Sequence, residues 1–395
     1  MVLGADNLIG HAGAGTARGL SWPKTALAVA ALFVFSRLLL FAIYAWTVHE
    51  TDPGRFVQQL CQWDCGWYLE FAQKGLDAAP HAGPRGDAAN WAFFPLFPLL
   101  TAGLSQLLSI PHVTAGAVLS NTFVAATAAV AHDWFQGRPR SYLVFCALLF
   151  LGPFSFYFAT LYTESLALLE AALCFYFLKR RRYVAAGAAA ALLSATRSIG
   201  VFLAFALLAA AWEEHRSEGG RIGGFPRRLL GRPDILLGVV LAPLGTFAYM
   251  AYLYWQVGDA LAFSHIQRGW EREFGNPATV LIDALSRFDL LLVFVNQNSQ
   301  FWNGLWAVLG LGLAGYLAWR RRLPEAVFSF FGLLVPLSTG ILSMPRYTVG
   351  LFPLQLAASE LLDRTAVGRF VVLPALLMLS VALAHLWFRG FAFLV

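Results

Sequence analysis

Charge is scarce in this sequence. Lys, Arg, Asp and Glu together make up 13% of its 395 residues, against about 25% for a soluble domain. A large soluble core does not explain the deficit, because such a core still needs a polar surface. Several signatures of function are also missing. Without Gly-x-x-x-x-Gly-Lys-Ser/Thr an ATP-driven machine is not expected. The strand–helix alternation of a nucleotide-binding Rossmann domain is absent, as is Gly-x-Ser-x-Gly. No Asp-x-Asp pair lies near Asp64, and no His/Cys cluster has metal-ligand spacing, so neither metal nor cofactor is expected. The net charge of +6 comes without an RNA-binding aromatic motif or zinc-finger spacing, so no nucleic-acid partner is expected. The four cysteines make no disulfide framework. Cys61 and Cys65 are four apart, a spacing that fits a bridge poorly on a helix, and both are expected to be reduced.

What is present is apolar bulk: 58% hydrophobic residues and a mean hydropathy of +0.62. Runs such as Ala26–Trp46, Ile235–Trp255 and Val371–Leu386 suit a bilayer as solvent. They imply an all-α, polytopic transmembrane helical bundle. About eleven membrane segments (10–12) are expected, near 25–47, 113–134, 141–159, 162–178, 184–196, 199–212, 234–256, 300–319, 325–342, 348–362 and 370–388. The first twenty or so residues lack a basic–apolar–cleavage pattern, so the first run is expected to be an uncleaved anchor.

Basic clusters orient these segments. Arg138/Arg140, Lys179-Arg180-Arg181-Arg182, Arg216 to Arg232, Arg320-Arg321-Arg322 and Arg364/Arg369 can all be cytoplasmic. That places the N-terminus inside and the C-terminus outside. It also requires 184–212 to be two short helices meeting at Ala195-Thr196-Arg197-Ser198. Two outer loops result, 48–112 and 257–299, the first carrying short amphipathic helices. Its piece Asn90–Leu100 is expected to lie in the interface, broken early by Pro95 and Pro98. With no repeat and no soluble domain, residues 1–395 form one membrane domain.

Polar residues from separate parts of the chain gather on the outer side. Asp64 sits among Trp63, Trp67 and Tyr68, which can stack on a sugar ring and lower the local dielectric. Alone, a loop aspartate is more often a cap or a solvated residue; in this setting it suits a general base. Arg197 and Arg346 can clamp a phosphate, since guanidinium is planar and always charged. Singly, each would be read as snorkelling to the interface. His265 and Arg268 are lesser phosphate candidates. Glu164, Gln267, Trp270 and Tyr347 are candidate substrate contacts, although Glu164 in a first helical turn equally suits a cap. Arg272 belongs to the same outer group. Arg37, inside the first segment, is expected to pair with Glu170.

Taken in order, these motifs resemble those of the PIG-V-like family. They are Trp63-Asp64, Ala92-Phe93-Phe94-Pro95-Leu96-Phe97-Pro98, Tyr162-Thr163-Glu164-Ser165-Leu166, Ala195-Thr196-Arg197-Ser198-x-Gly200, Gln267-x-x-Trp270-x-Arg272 and Pro345-Arg346-Tyr347. The resemblance implies a C-type membrane glycosyltransferase. Such an enzyme takes a hexose, usually mannose, from a polyprenyl-phosphate donor on the non-cytoplasmic face. The matching position makes Asp64 the catalytic residue. A lipid-linked or glycan acceptor, surrounding membrane lipid and a bacterial inner membrane with the site facing the periplasm follow as expectations. The equivalent location in a eukaryote is the endoplasmic reticulum membrane. Two other readings have distinct signatures. A lipid-linked sugar carrier should show inverted repeats and helices broken at the midplane. A non-catalytic scaffold should scatter Asp64, Arg197 and Arg346 by more than about 15 Å, beyond the Debye length.

Overall fold

The computed structural model describes residues 22–83, 86–270, 272–288 and 300–391. The expectation for the first twenty residues, and the 289–299 part of the second outer loop, lie outside the described residues.

Helix α1 (Trp22–Val48) is followed by α2 (Pro53–Leu60), α3 (Asp64–Lys74), a hairpin of β1 (His81–Gly83) and β2 (Gly86–Ala88), and α4 (Leu96–Leu108). Then come α5 (His112–Ala131), α6 (Pro139–Leu151), α7 (Glu164–Lys179), α8 (Tyr183–Thr196) and α9 (Leu203–Ser217). The chain continues through α10 (Phe225–Leu230), α11 (Pro233–Leu241), α12 (Leu244–Val257), α13 (Ala262–His265) and α14 (Pro277–Ser286). It closes with α15 (Gln300–Trp319), α16 (Leu323–Ser338), α17 (Met344–Val349), α18 (Phe352–Arg364) and α19 (Leu373–Phe388).

The chain is an integral membrane protein. Among the described residues, five helical stretches are long and apolar enough to cross a bilayer, and six if α11 and α12, bent by 41°, count as one span. That is fewer than the eleven expected. Helices α6, α8 and α16 fall at expected segments but are short apolar helices of 10–17 residues. Their faces are covered by neighbours, so burial within the protein rather than lipid accounts for part of their apolarity. Lipid-facing positions remain obvious elsewhere, as at Leu27 and Leu38 on α1, 72% and 62% exposed.

Contacts sort the helix ends into two groups. At one end each basic cluster meets an acid: Lys179 and Arg180 with Asp133, Arg228 and Arg232 with Glu214, Arg322 and Arg364 with Glu360, and Arg140 with Asp363. The opposite end carries α2, α3, the hairpin, α13 and α17. The chain does fold back between α8 and α9. Arg197 is extended, and Gly200 packs on the backbone of Leu193 and Ser194, where an added Cβ would come within 2.5 Å.

Two expectations need correction, and the all-α bundle carries a short hairpin, His81–Gly83 paired antiparallel with Gly86–Ala88. Prolines and glycines through 80–86 disfavour a helix there. Pro95 and Pro98 do not break the 90–100 piece; they begin α4, where a missing N–H costs nothing. Cys61 and Cys65 are bridged. They do not share a helix: Cys61 caps α2, Trp63 turns the chain with φ +53°, and the Cα atoms come to 5.1 Å.

Candidate active site

Asp64 begins α3, and the segment before it is held from three sides. The Cys61–Cys65 bridge closes the turn. Thr160 Oγ1 donates to the Leu60 carbonyl at 2.9 Å, and the Tyr162 hydroxyl donates to the Gln62 carbonyl at 3.0 Å. Arg346 arrives on α17, a short helix wedged between α16 and α18. Asn303 Oδ1 accepts from the Met344 N–H at 3.2 Å, and Thr348 Oγ1 donates to the Trp306 carbonyl at 3.1 Å, tying α17 to α15.

These elements bring four charges into one chain of contacts. Arg346 Nη1 donates to Asp64 Oδ2 at 2.5 Å. Its Nε lies 2.8 Å from Glu164 Oε1, close enough for an ion pair although not aligned as a hydrogen bond. The same Glu164 oxygen accepts from Arg197 Nη1 at 2.6 Å. Side-chain exposure is 0% for Glu164, 7% for Arg346, 10% for Arg197 and 20% for Asp64, so the acid that opens to the surroundings is Asp64. Rings cover the guanidinium groups: Tyr162 lies 5.3 Å from Arg346 and Tyr347 5.2 Å from Arg197. Gly350 lets the backbone pass close by. An added Cβ there would meet the Arg346 carbonyl at 2.9 Å and lie within 4 Å of both Glu164 and Arg197.

A third arginine completes the cluster. Arg272 donates from Nη1 to the Tyr347 hydroxyl at 3.1 Å and from Nη2 to Ser343 Oγ at 3.2 Å. Among the described residues it pairs with no carboxylate. Three guanidinium groups against two carboxylates leave one uncompensated positive charge. Tyr347, in the link between α16 and α18, records this excess. Burial pushes its phenol up, but Arg272, Arg346 and Arg197 together outweigh burial and bring it down to about 8.

Beside Asp64 stands an aromatic wall. Trp67 is stacked on Phe93 at 6.0 Å and meets Trp270 edge-on at 5.4 Å, while Tyr68 packs edge-on against Phe93 at 4.9 Å. The Tyr68 hydroxyl is within 3.2 Å of Thr163 Oγ1. Trp63 is 39% exposed and free to meet a ligand.

The expected site residues therefore divide. Asp64, Arg197, Arg346, Glu164 and Tyr347 converge, and Trp67, Tyr68 and Trp270 line the same region. Direct contacts link Asp64, Arg346, Glu164 and Arg197, unlike the scatter a scaffold would show. Glu164 is a buried bridge between two arginines, not an exposed contact. His265 stays outside: it is exposed, and its Nδ1 is 2.7 Å from Asp259 Oδ2. Arg268 is exposed and unpaired among the described residues, and Gln267 reaches only the Phe263 carbonyl at 3.5 Å. Arg37 does not pair with Glu170; Glu170 Oε1 instead accepts from Thr196 Oγ1 at 3.0 Å. The role of Arg272 was underweighted in the sequence, although it ends the Gln267-x-x-Trp270-x-Arg272 motif. Glu70, Asp77 and His81 bring potential ligand atoms within 4.8 Å of one another beside the hairpin. Asp77 there already accepts the Asn90 N–H at 2.7 Å, and Glu70 the Lys74 ammonium at 2.9 Å.

The helical membrane fold is similar to that of ArnT from Cupriavidus metallidurans. Its structure bound to undecaprenyl phosphate matches with a TM-score of 0.51 and 15% identity, over 93% of this chain and 76% of that one. Its apo structure matches with a TM-score of 0.50, also at 15% identity, over 93% and 77%. At that identity the likeness establishes the fold. No protein-family model and no curated protein matches the sequence.

Proposed function

We propose that the protein is a membrane glycosyltransferase. It would move a hexose, mannose by the motif resemblance, from a polyprenyl-phosphate donor to a lipid-linked or glycan acceptor on the non-cytoplasmic face. The observation that carries the proposal is Asp64 held by Arg346 at the accessible end of a buried ion-pair chain. Two further facts support it. The related fold of ArnT has been captured with undecaprenyl phosphate. The Cys61–Cys65 bridge suits an oxidising, non-cytoplasmic compartment.

The chemistry follows from this arrangement. Asp64 Oδ2 is engaged by Arg346, which orients the carboxylate. Oδ1 is left to take the proton from the acceptor hydroxyl. The acceptor's hydroxyl oxygen then forms a bond to the anomeric carbon as the bond from that carbon to the donor phosphate oxygen breaks. The leaving group is a lipid phosphate, already acidic, so no general acid is needed. It gains about one negative charge, and a fixed cation stabilises that change more than the ground state.

The cation for this task is Arg272. Arg197 and Arg346 were the expected phosphate clamp, but both are committed to carboxylates. Arg346 is better assigned to positioning Asp64, and Arg197 to neutralising Glu164. Arg272 holds the surplus charge, with the Tyr347 hydroxyl beside it. Trp63, Trp67 and Trp270 offer ring faces for the sugar.

A donor screen tests the reading. Purified protein in lipid nanodiscs is given several polyprenyl-phosphate sugars and a mixed glycolipid acceptor pool. Mass spectrometry should show consumption of the mannose donor and a hexose added to acceptor. Hydrolysis-free recovery of every donor, with no glycosylated product, would overturn it.

A further inference from the structure

One strong charge in the membrane region has no place in the site above. Arg37 lies about 22 Å along α1 from Trp22, at 1.5 Å per residue, which is near the middle of the 27-residue helix. Its guanidinium leans back over the Phe33 ring at 5.0 Å. Nε and Nη2 are both covered and, among the described residues, donate to no oxygen. No carboxylate among the described residues pairs with it, and Glu170 is engaged by Thr196.

Arg37 lines a groove of about 280 Å³ between α1 and α19, floored by the end of α6 and the Ser155–Phe156 turn. The rim faces lipid: Phe35 is 54% and Met378 70% exposed. Ser36 and Ser380 on its two sides are buried, and Ser380 Oγ is 3.5 Å from Ser155 Oγ. An arginine at this depth is costly unless an anion meets it.

We propose that the α1–α19 groove receives a transmembrane helix of a partner protein carrying an Asp or Glu at mid-membrane, paired with Arg37. Charge complementarity selects the partner's chemistry, and depth selects its kind. A lipid phosphate belongs at the interface, roughly half a 30 Å hydrocarbon core away from this guanidinium. A carboxylate on a spanning helix sits at the right level. A carboxylate reaching into the groove can accept from the edge of the Arg37 guanidinium that lines it.

The test uses the whole protein in vesicles of phosphatidylcholine. Fluorescence transfer is measured to three labelled poly-leucine spanning peptides, with Glu, Gln or Leu at the centre. The Glu peptide should associate about tenfold more tightly than the Leu peptide, in line with polar pairs in membranes. Arg37→Leu should remove that preference and Arg37→Lys should retain it, with gel filtration and thermal unfolding verifying that both variants fold. Equal association of all three peptides with the unaltered protein would overturn the proposal. So would native mass spectrometry showing a phospholipid that is retained by the unaltered protein, lost in Arg37→Leu and not displaced by the Glu peptide. Neither readout depends on sugar transfer, so the result stands apart from the activity proposed above.

Discussion

Arg346 Nη1 lies 2.5 Å from Asp64 Oδ2, joining residues 282 positions apart in the chain. The contact ties the first loop at the site end to the short helix between α16 and α18. Among the described residues, the other carboxylate oxygen of Asp64 has no hydrogen-bond donor. Four predictions follow from the charges around this pair, and a fifth from its setting.

Arg197 neutralises Glu164, which is fully buried. Removing the arginine leaves a buried carboxylate with less than its full compensation. Breaking a buried pair from one side costs about 3–5 kcal/mol. Arg197→Ala should therefore unfold at clearly lower temperature in a detergent melt. An unchanged melt would mean that Arg346 alone satisfies Glu164.

Arg272 should serve the donor. Arg272→Ala is expected to raise the donor KM about tenfold or more, matching the loss of a charge-assisted contact of about 1.5–3 kcal/mol. Acceptor KM should stay within about twofold, and Arg272→Lys should recover part of the loss. An unaltered donor KM and kcat would move the phosphate elsewhere.

Tyr347 should titrate early. Its phenol is brought down to about 8 from the ordinary 10. A depressed acid adds stability that is complete above its unfolded value and disappears as pH falls through its folded value. Between pH 8 and 10 the protein should therefore gain stability relative to Tyr347→Phe as pH rises. Ultraviolet difference absorbance should show one tyrosinate forming near pH 8, absent from the Tyr347→Phe variant. Ionisation of all tyrosines above pH 9.5 would contradict this.

The Cys61–Cys65 bridge is checked by counting thiols. Alkylation in denaturant should label two cysteines without reductant, Cys146 and Cys174, and four after reduction. Four labels without reductant, in protein isolated from an oxidising compartment, would show the bridge to be absent.

Much of this was legible in the chain. Apolar runs located the helices, and the basic clusters predicted the common end at which Arg180, Arg228, Arg322 and Arg140 now meet acids. The motifs gathered Asp64, Arg197, Arg346, Glu164 and Tyr347. What the sequence hid is pairing. Two arginines at one depth look alike whether they await a phosphate or hold carboxylates, and Glu164 at a helix start looks like a cap. His265 looked available because its partner Asp259, six residues earlier, is bound through a turn that no periodicity announces. The disulfide was hidden for a similar reason: a four-residue spacing says little until Trp63, with positive φ, breaks the helix between the cysteines.

The most direct measurement is transfer by Asp64→Asn. The amide oxygen can still accept from Arg346, so the variant should fold and melt close to the unaltered protein. It cannot take a proton from the acceptor. Initial rates from polyprenyl-phosphate mannose should fall about 100-fold or more, the usual contribution of a general base. A folded Asp64→Asn protein with undiminished turnover would contradict the assignment of Asp64 as the base.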